Sequence, residues 1–139
     1  MGINWFVYAL LGMVFFSGMI LIFKKLVVAG LKPNVILFFI FTFGMLFYLT
    51  DIIYNKTSIS INYYFLGFLI LAAFLSYLGN LLYVKSLSTA PNPGYTTAIN
   101  SLQIILITIG SFLLFGSGIS AKNIVGIVLG LIAIILLTL

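Results

Sequence analysis

In the sequence YYFLGFLILAAFLSYLGNLLYVKSLSTAPNPGYTTAINSLQIILITIGSFLLFG, residues 63–116, two apolar segments are joined by the turn Ala90-Pro91-Asn92-Pro93-Gly94-Tyr95. Each segment exceeds the roughly 20 residues that a helix needs to cross a bilayer, so the stretch is predicted to be a hairpin of membrane-spanning helices. It also carries most of the uncharged polar residues expected at membrane depth: Ser76, Tyr77, Asn80, Thr96, Thr97, Asn100, Ser101, Gln103, Thr108 and Ser111. Because an unpaired polar group in hydrocarbon is costly, such residues usually face another helix or a water-filled cavity.

The composition of the whole chain excludes a soluble fold. Of the 139 residues, 64% are hydrophobic and 5% are charged, whereas soluble domains carry about 25% charged residues. The chain has one acidic residue, six lysines, no cysteine and no histidine. Disulfides, Cys or His metal sites, His-based triads and paired-carboxylate chemistry are therefore excluded. We expect a non-enzymatic, multi-pass protein of the cell membrane that needs no cofactor and binds no nucleic acid.

Five helices are predicted, which gives an all-α integral membrane fold in a single domain, residues 1–139. Pro33 suits the start of the second helix, and Ser120 suits the N-cap of the fifth. Lys24 and Lys25 are predicted to follow the first helix. The approximate bounds of the helices are 3–23, 34–49, 63–87, 94–115 and 121–139.

The lysines give a weak indication of topology. Loops one and three hold four of them and loops two and four hold two: Lys24, Lys25, Lys32 and Lys85 against Lys56 and Lys122. The positive-inside rule then favours an outside amino terminus and an inside carboxyl terminus. A bias this weak leaves insertion in both orientations open.

The polar residues of the hairpin predict a site. At 100° per residue, those of the fourth helix fall within an arc of roughly 160°. On the third helix, Ser76 and Asn80 share a face, with Tyr77 alongside. The other interpretation is that these groups form interhelical hydrogen bonds, worth about 0.6 kcal/mol each. The predicted substrate-binding residues are Ser76, Tyr77, Asn80, Thr97, Asn100 and Gln103.

Two further features have a structural and a functional interpretation. Gly126 and Gly130 form a small-xxx-small pattern, which predicts close helix packing or a dimer contact. Lys85 is predicted to follow the third helix and to extend its side chain to the membrane interface. Its functional alternative is a lysine that faces an anionic substrate.

Three segments together resemble one half of an EamA-like member of the drug/metabolite transporter superfamily. Phe23-Lys24-Lys25 with Gly30-Leu31-Lys32-Pro33 resembles the end of that family's first helix and the following turn. Tyr83-Val84-Lys85-Ser86-Leu87-Ser88 before Pro91 resembles the segment between its third and fourth helices. Leu113-Leu114-Phe115-Gly116-Ser117-Gly118-Ile119-Ser120 with Gly126 resembles its fourth-to-fifth helix junction. The matches span most of the chain.

The resemblance implies a half-size transporter of a small metabolite, with the first four helices around a central cavity. Larger members carry two such halves in tandem, and five spans per half make the second half inverted. For this chain the equivalent is an antiparallel homodimer in the bilayer, or a heterodimer with a related half, that works by alternating access.

The chain departs from the family pattern at several positions. Ser117 stands where a glutamate is often found, and Gln103 stands near a frequent proline. The first helix lacks the glutamate that the small multidrug resistance branch uses for proton and cation exchange. We therefore expect a neutral or zwitterionic substrate rather than a cation. The alternative is a non-transporting multi-pass subunit or modifier of a larger complex.

Overall fold

The structure, a computed structural model, describes residues 4–118 and 120–138. These residues form helices joined by short turns, in two compact units, Met1–Thr89 (unit 1) and Ala90–Leu139 (unit 2). The all-α fold is confirmed, whereas the single domain stays a prediction. Ile3 and Leu139, the outer ends of the first and fifth predicted helices, lie outside the described residues. The helices are α1 (Trp5–Val28), α2 (Pro33–Tyr54), α3 (Tyr63–Thr89), α4 (Pro93–Asn100), α5 (Gln103–Phe115) and α6 (Ala121–Thr138).

Length and apolarity make these helices membrane spans. Within residues 4–118 and 120–138, four helical segments are long and apolar enough to cross a bilayer. The segment Pro93–Phe115, which combines α4 and α5, is one of them. The apolar part of α6 is shorter and covers Ala121–Leu137. Large side chains along α1, α2 and α3 are mostly exposed. In a bilayer such surfaces face lipid, which is as apolar as the side chains themselves.

The first helix ends later than the lysine pair predicts. α1 continues past Lys24 and Lys25 to Val28, and Lys25 lies in its last turn, where the helix dipole favours a cation. Gly30 then adopts φ +92°, and its N–H donates to the Val27 carbonyl at 3.1 Å. This left-handed residue closes the helix, as glycine commonly does. Pro33 begins α2, as predicted.

The second helix is also longer than predicted. It runs to Tyr54, so Asp51 belongs to the helix and not to the loop. The Asn55 amide donates to the Asp51 carboxylate at 2.9 Å. Lys56 adopts φ 49°, and the N–H of the residue after it bonds back to the Ile52 carbonyl at 3.0 Å. Asp51 therefore lies in the last turn of α2, and Asn55 is the C-cap of that helix.

The core of unit 1 lies where the end of α1 and the start of α2 meet the end of α3. Lys24 adds a polar contact there, because its ammonium donates to the Leu87 carbonyl at 2.9 Å. Lys85 does not follow the third helix as predicted: α3 continues to Thr89, and Lys85 is an exposed residue within it. The buried side chains are Phe23, Ile36, Leu37, Val84 and Leu87.

Unit 2 begins with a capped helix. The Asn92 side chain accepts from the Gly94 N–H at 2.8 Å, and Pro93 is the first residue of α4. The predicted cap at Ser120 is confirmed, because its hydroxyl accepts from the Asn123 N–H at 3.3 Å. α4 packs against α6, whereas α5 has few contacts with α6.

The predicted fourth helix is not continuous, because a tight turn at Ser101 and Leu102 separates α4 from α5. Both residues keep right-handed helical dihedrals, with ψ −15° and −18°. Leu102 donates to the Ile99 carbonyl at 3.0 Å, Ile104 to Ser101 at 3.1 Å and Ile105 to Leu102 at 3.0 Å. These bonds reach back three residues instead of four, so the turn has the geometry of a 3₁₀ helix.

Candidate functional site

The centre of α3 carries a polar patch, formed by Ser76, Tyr77 and Asn80. The Asn80 side-chain N–H group donates to the Ser76 carbonyl at 2.8 Å and to the Ser76 hydroxyl at 3.2 Å. The structure thus brings these two predicted residues together on one face. Asn80 is half-buried, and its side-chain oxygen has no partner among the residues that the structure describes. It is therefore open to a hydrogen-bond donor.

Tyr77 completes the α3 polar patch. It lies three residues before Asn80, a spacing that makes two side chains neighbours on a helix. Its side chain is 54% exposed, as are the apolar residues around it on the same helix. Polar groups exposed in the middle of an apolar span are unfavourable against lipid. The α3 polar patch thus requires either protein or an aqueous cavity beside it.

The other predicted residues lie in unit 2, around the turn between α4 and α5. Asn100 is the last residue of α4 and Gln103 is the first of α5, and both are exposed. Each amide can donate and accept hydrogen bonds. Thr97 is half-buried, and its hydroxyl donates to the Pro93 carbonyl of its own helix at 2.9 Å. The hydroxyl proton of Thr97 is therefore committed to its own helix, while both amides keep their donors.

A groove of about 530 Å³ separates α5 from α6. Ser101 and Thr108 line it, and Asn100 and Gln103 do not. The polar face of the predicted fourth helix thus divides into residues that face α6 and residues that do not. The lining residues are Ser101, Leu102, Ile104, Ile105, Thr108, Asn123, Gly126, Ile127, Gly130, Leu131 and Ile134.

The glycines of α6 border this groove. A Cβ atom built at Gly126 or Gly130 has no heavy atom within 4 Å, so the predicted close packing of these residues does not occur within unit 2. Their contact with a second copy stays a prediction. Asn123 also lines the groove and was missed in the sequence. Its spacing of three and seven residues from the two glycines is the signal that could have identified it.

Long apolar helices that carry isolated, uncharged polar groups define a multi-pass membrane protein. The family model of the EamA-like transporter family matches residues 3–139, and the chain belongs to that family. The resemblance of its helix junctions to that family and its membrane location are thereby confirmed. No curated protein and no solved structure matches the chain significantly.

Proposed function

We propose that this chain is a half-size transporter that moves a small neutral or zwitterionic metabolite across the membrane. The observation that carries the proposal is the α3 polar patch, placed in the centre of a span of a transporter-family chain. Its amide, hydroxyl and aromatic ring offer hydrogen bonds and stacking without a formal charge. Binding sites of this kind combine apolar walls with a few polar groups that fix the ligand's orientation.

Asn100 and Gln103 are further candidate substrate contacts, in unit 2. They flank the turn between α4 and α5, and transporters often bind substrates where membrane helices are discontinuous. In this proposal the two amides offer hydrogen bonds to the substrate, and in unit 1 Asn80 offers a hydrogen bond and Tyr77 a ring for stacking. Ser76 orients Asn80, and Thr97 stabilises the helical turn that precedes Asn100.

Many transporters achieve alternating access with two inverted repeats, and this chain supplies a single repeat. We propose that a second copy in the opposite orientation supplies the other. The weak lysine bias supports this arrangement, because neither orientation is strongly favoured. A related chain of opposite orientation would serve the same purpose in a heterodimer.

The test begins with ligands. Purified protein is screened by thermal shift against amino acids, sugars and nucleosides, and each stabilising compound is then offered as a radiolabelled substrate to reconstituted vesicles. We expect Asn80→Ala and Asn100→Ala each to lower uptake about tenfold, the effect of losing one good hydrogen bond to the ligand.

Asn34→Ala is the matched control, because Asn34 is an exposed amide in the first turn of α2, outside the proposed site. It should transport as the wild type does. Uptake that survives both site substitutions would remove those residues from the site. Stabilisation by none of the compounds, together with uptake only in complex with a larger membrane protein, would favour the subunit role instead.

A further inference from the structure

We propose that the groove between α5 and α6 binds one acyl chain of an anionic phospholipid, whose phosphate is held by Lys122 at the start of α6. This site is separate from the transport site proposed above. It uses residues of unit 2 alone. The inference rests on the lining of the groove, its dimensions and the position of the one cation beside it.

The lining suits a hydrocarbon chain. Most of the groove surface comes from aliphatic side chains, and the hydroxyl protons of its two hydroxyl residues are already used. Thr108 donates to the Ile104 carbonyl at 2.7 Å and Ser101 to the Thr97 carbonyl at 2.9 Å. Few polar groups remain to hold water, so a dry, apolar occupant is favoured. Gly126 and Gly130 leave room for it along α6.

The dimensions of the groove suit a single lipid chain. Between Asn123 and Ile134 the groove follows α6 for about 16 Å, at 1.5 Å per residue. This length equals about half of the hydrocarbon core of a bilayer, which is one leaflet. A protein helix is about 10 Å wide with its side chains. One acyl chain is far narrower.

The charge that a headgroup would need is next in sequence to one end of the groove. Lys122 is the only charged residue in residues 90–139, and it precedes the groove residue Asn123. It occupies the second position of α6, where the positive end of the helix dipole disfavours a cation. Within the part of the chain that the structure describes, Lys122 has no hydrogen bond or ion pair. The unpaired lysine therefore favours an external anion such as phosphate.

The test is native mass spectrometry of the full chain with two lipids that share the same acyl chains, palmitoyl-oleoyl phosphatidylglycerol and palmitoyl-oleoyl phosphatidylcholine. We expect phosphatidylglycerol to bind about fivefold more tightly, the effect of one lysine near an anionic headgroup. Lys122→Gln should abolish that preference and Lys122→Arg should keep it. Gly126→Leu with Gly130→Leu should fill the groove and release both lipids.

Two control variants belong to the same experiment. Gly110→Leu adds the same side chain to α5 at a glycine that does not line the groove, and Lys56→Gln removes a lysine elsewhere. Both should bind lipid as the wild type does.

Equal retention of the two lipids by the wild type would overturn the proposal, as would unchanged retention in the filled variant. A loss of dimers in the filled variant with lipid retention intact would assign the groove to a second copy and overturn it too. Lys122→Gln changes only an exposed side chain. The loss or retention of the phosphatidylglycerol preference in this variant therefore tests the proposal even if the double glycine variant does not fold.

Discussion

At the scale of single residues, the ends of three helices depend on left-handed backbone conformations. Gly30 has φ +92°, Gly116 has φ 61° and Lys56 has φ 49°. Glycine adopts this region without cost, whereas a residue with a Cβ atom is strained there by roughly 1 kcal/mol. The cap of α2 therefore carries strain that the caps of α1 and α5 avoid.

A reciprocal pair of substitutions tests this strain. Gly30→Ala should lower the free energy of unfolding by about 1 kcal/mol, because alanine must adopt the left-handed conformation. Lys56→Gly should raise it by a similar or smaller amount, because glycine relieves the strain at the end of α2. Thermal unfolding in one detergent measures both. A wild-type melting temperature for Gly30→Ala would show that the turn rearranges freely.

Lys24 is the second residue whose role can be measured. Lys24→Met keeps the apolar stem but removes the ammonium that bonds the Leu87 carbonyl, so the variant should be about 1 kcal/mol less stable. Lys85→Met is the control, because Lys85 is exposed and lies outside the last turn of its helix. The midpoint of chemical unfolding is the readout. Equal midpoints for the two variants would contradict a stabilising role for the Lys24 bond.

At the scale of elements, the break between α4 and α5 decides the shape of unit 2. The Thr97 hydroxyl bonds the Pro93 carbonyl and the Ser101 hydroxyl bonds the Thr97 carbonyl, each four residues back. Such bonds compete for carbonyl lone pairs and often bend helices. One bond of this kind does not break a helix, because Thr42 makes it to Phe38 within the continuous α2. Two successive bonds precede the break.

Removal of both hydroxyls should make the turn between α4 and α5 more like a regular α-helix. In Thr97→Val with Ser101→Ala, we expect the amides of residues 101–105 to exchange hydrogen more slowly, because four-residue bonds replace the three-residue bonds. Hydrogen exchange measured by mass spectrometry is the readout. Thr42→Val removes the equivalent bond from α2 and should leave exchange there unchanged. Unaltered exchange in the double variant would mean that packing against α6, rather than the hydroxyls, holds the turn.

At the scale of the whole molecule, the proposed pairing of inverted copies depends on the sparse charges of the chain. Six lysines and one aspartate are the only charged residues of the chain, so few groups fix its orientation in the bilayer. An inverted homodimer requires that both orientations coexist. The family assignment supports transport, and the orientation decides whether one gene product can supply both repeats.

Single cysteines test the orientation directly, because the chain has none of its own. Ser58→Cys lies in the loop between α2 and α3, and Ser88→Cys lies in the last turn of α3, exposed in both cases. With a membrane-impermeant maleimide on intact cells, we expect partial labelling at both positions. Labelling of Ser58→Cys alone would exclude a self-inverted pair and would require an oppositely oriented partner.

The sequence alone determined the class of protein, the number of apolar helical segments, the start of α2 at Pro33, the cap at Ser120 and the family. These properties depend on the apolarity of long segments and on local side-chain bonds. Each such contribution is set by residues that are close together in the sequence. The tertiary structure alone decided where α1 and α2 end, that the fourth span breaks at Ser101 and Leu102, and that Ser101 and Thr108 face a groove. Those features depend on competition between three-residue and four-residue backbone bonds and on packing between helices, and neither is encoded in a hydropathy pattern.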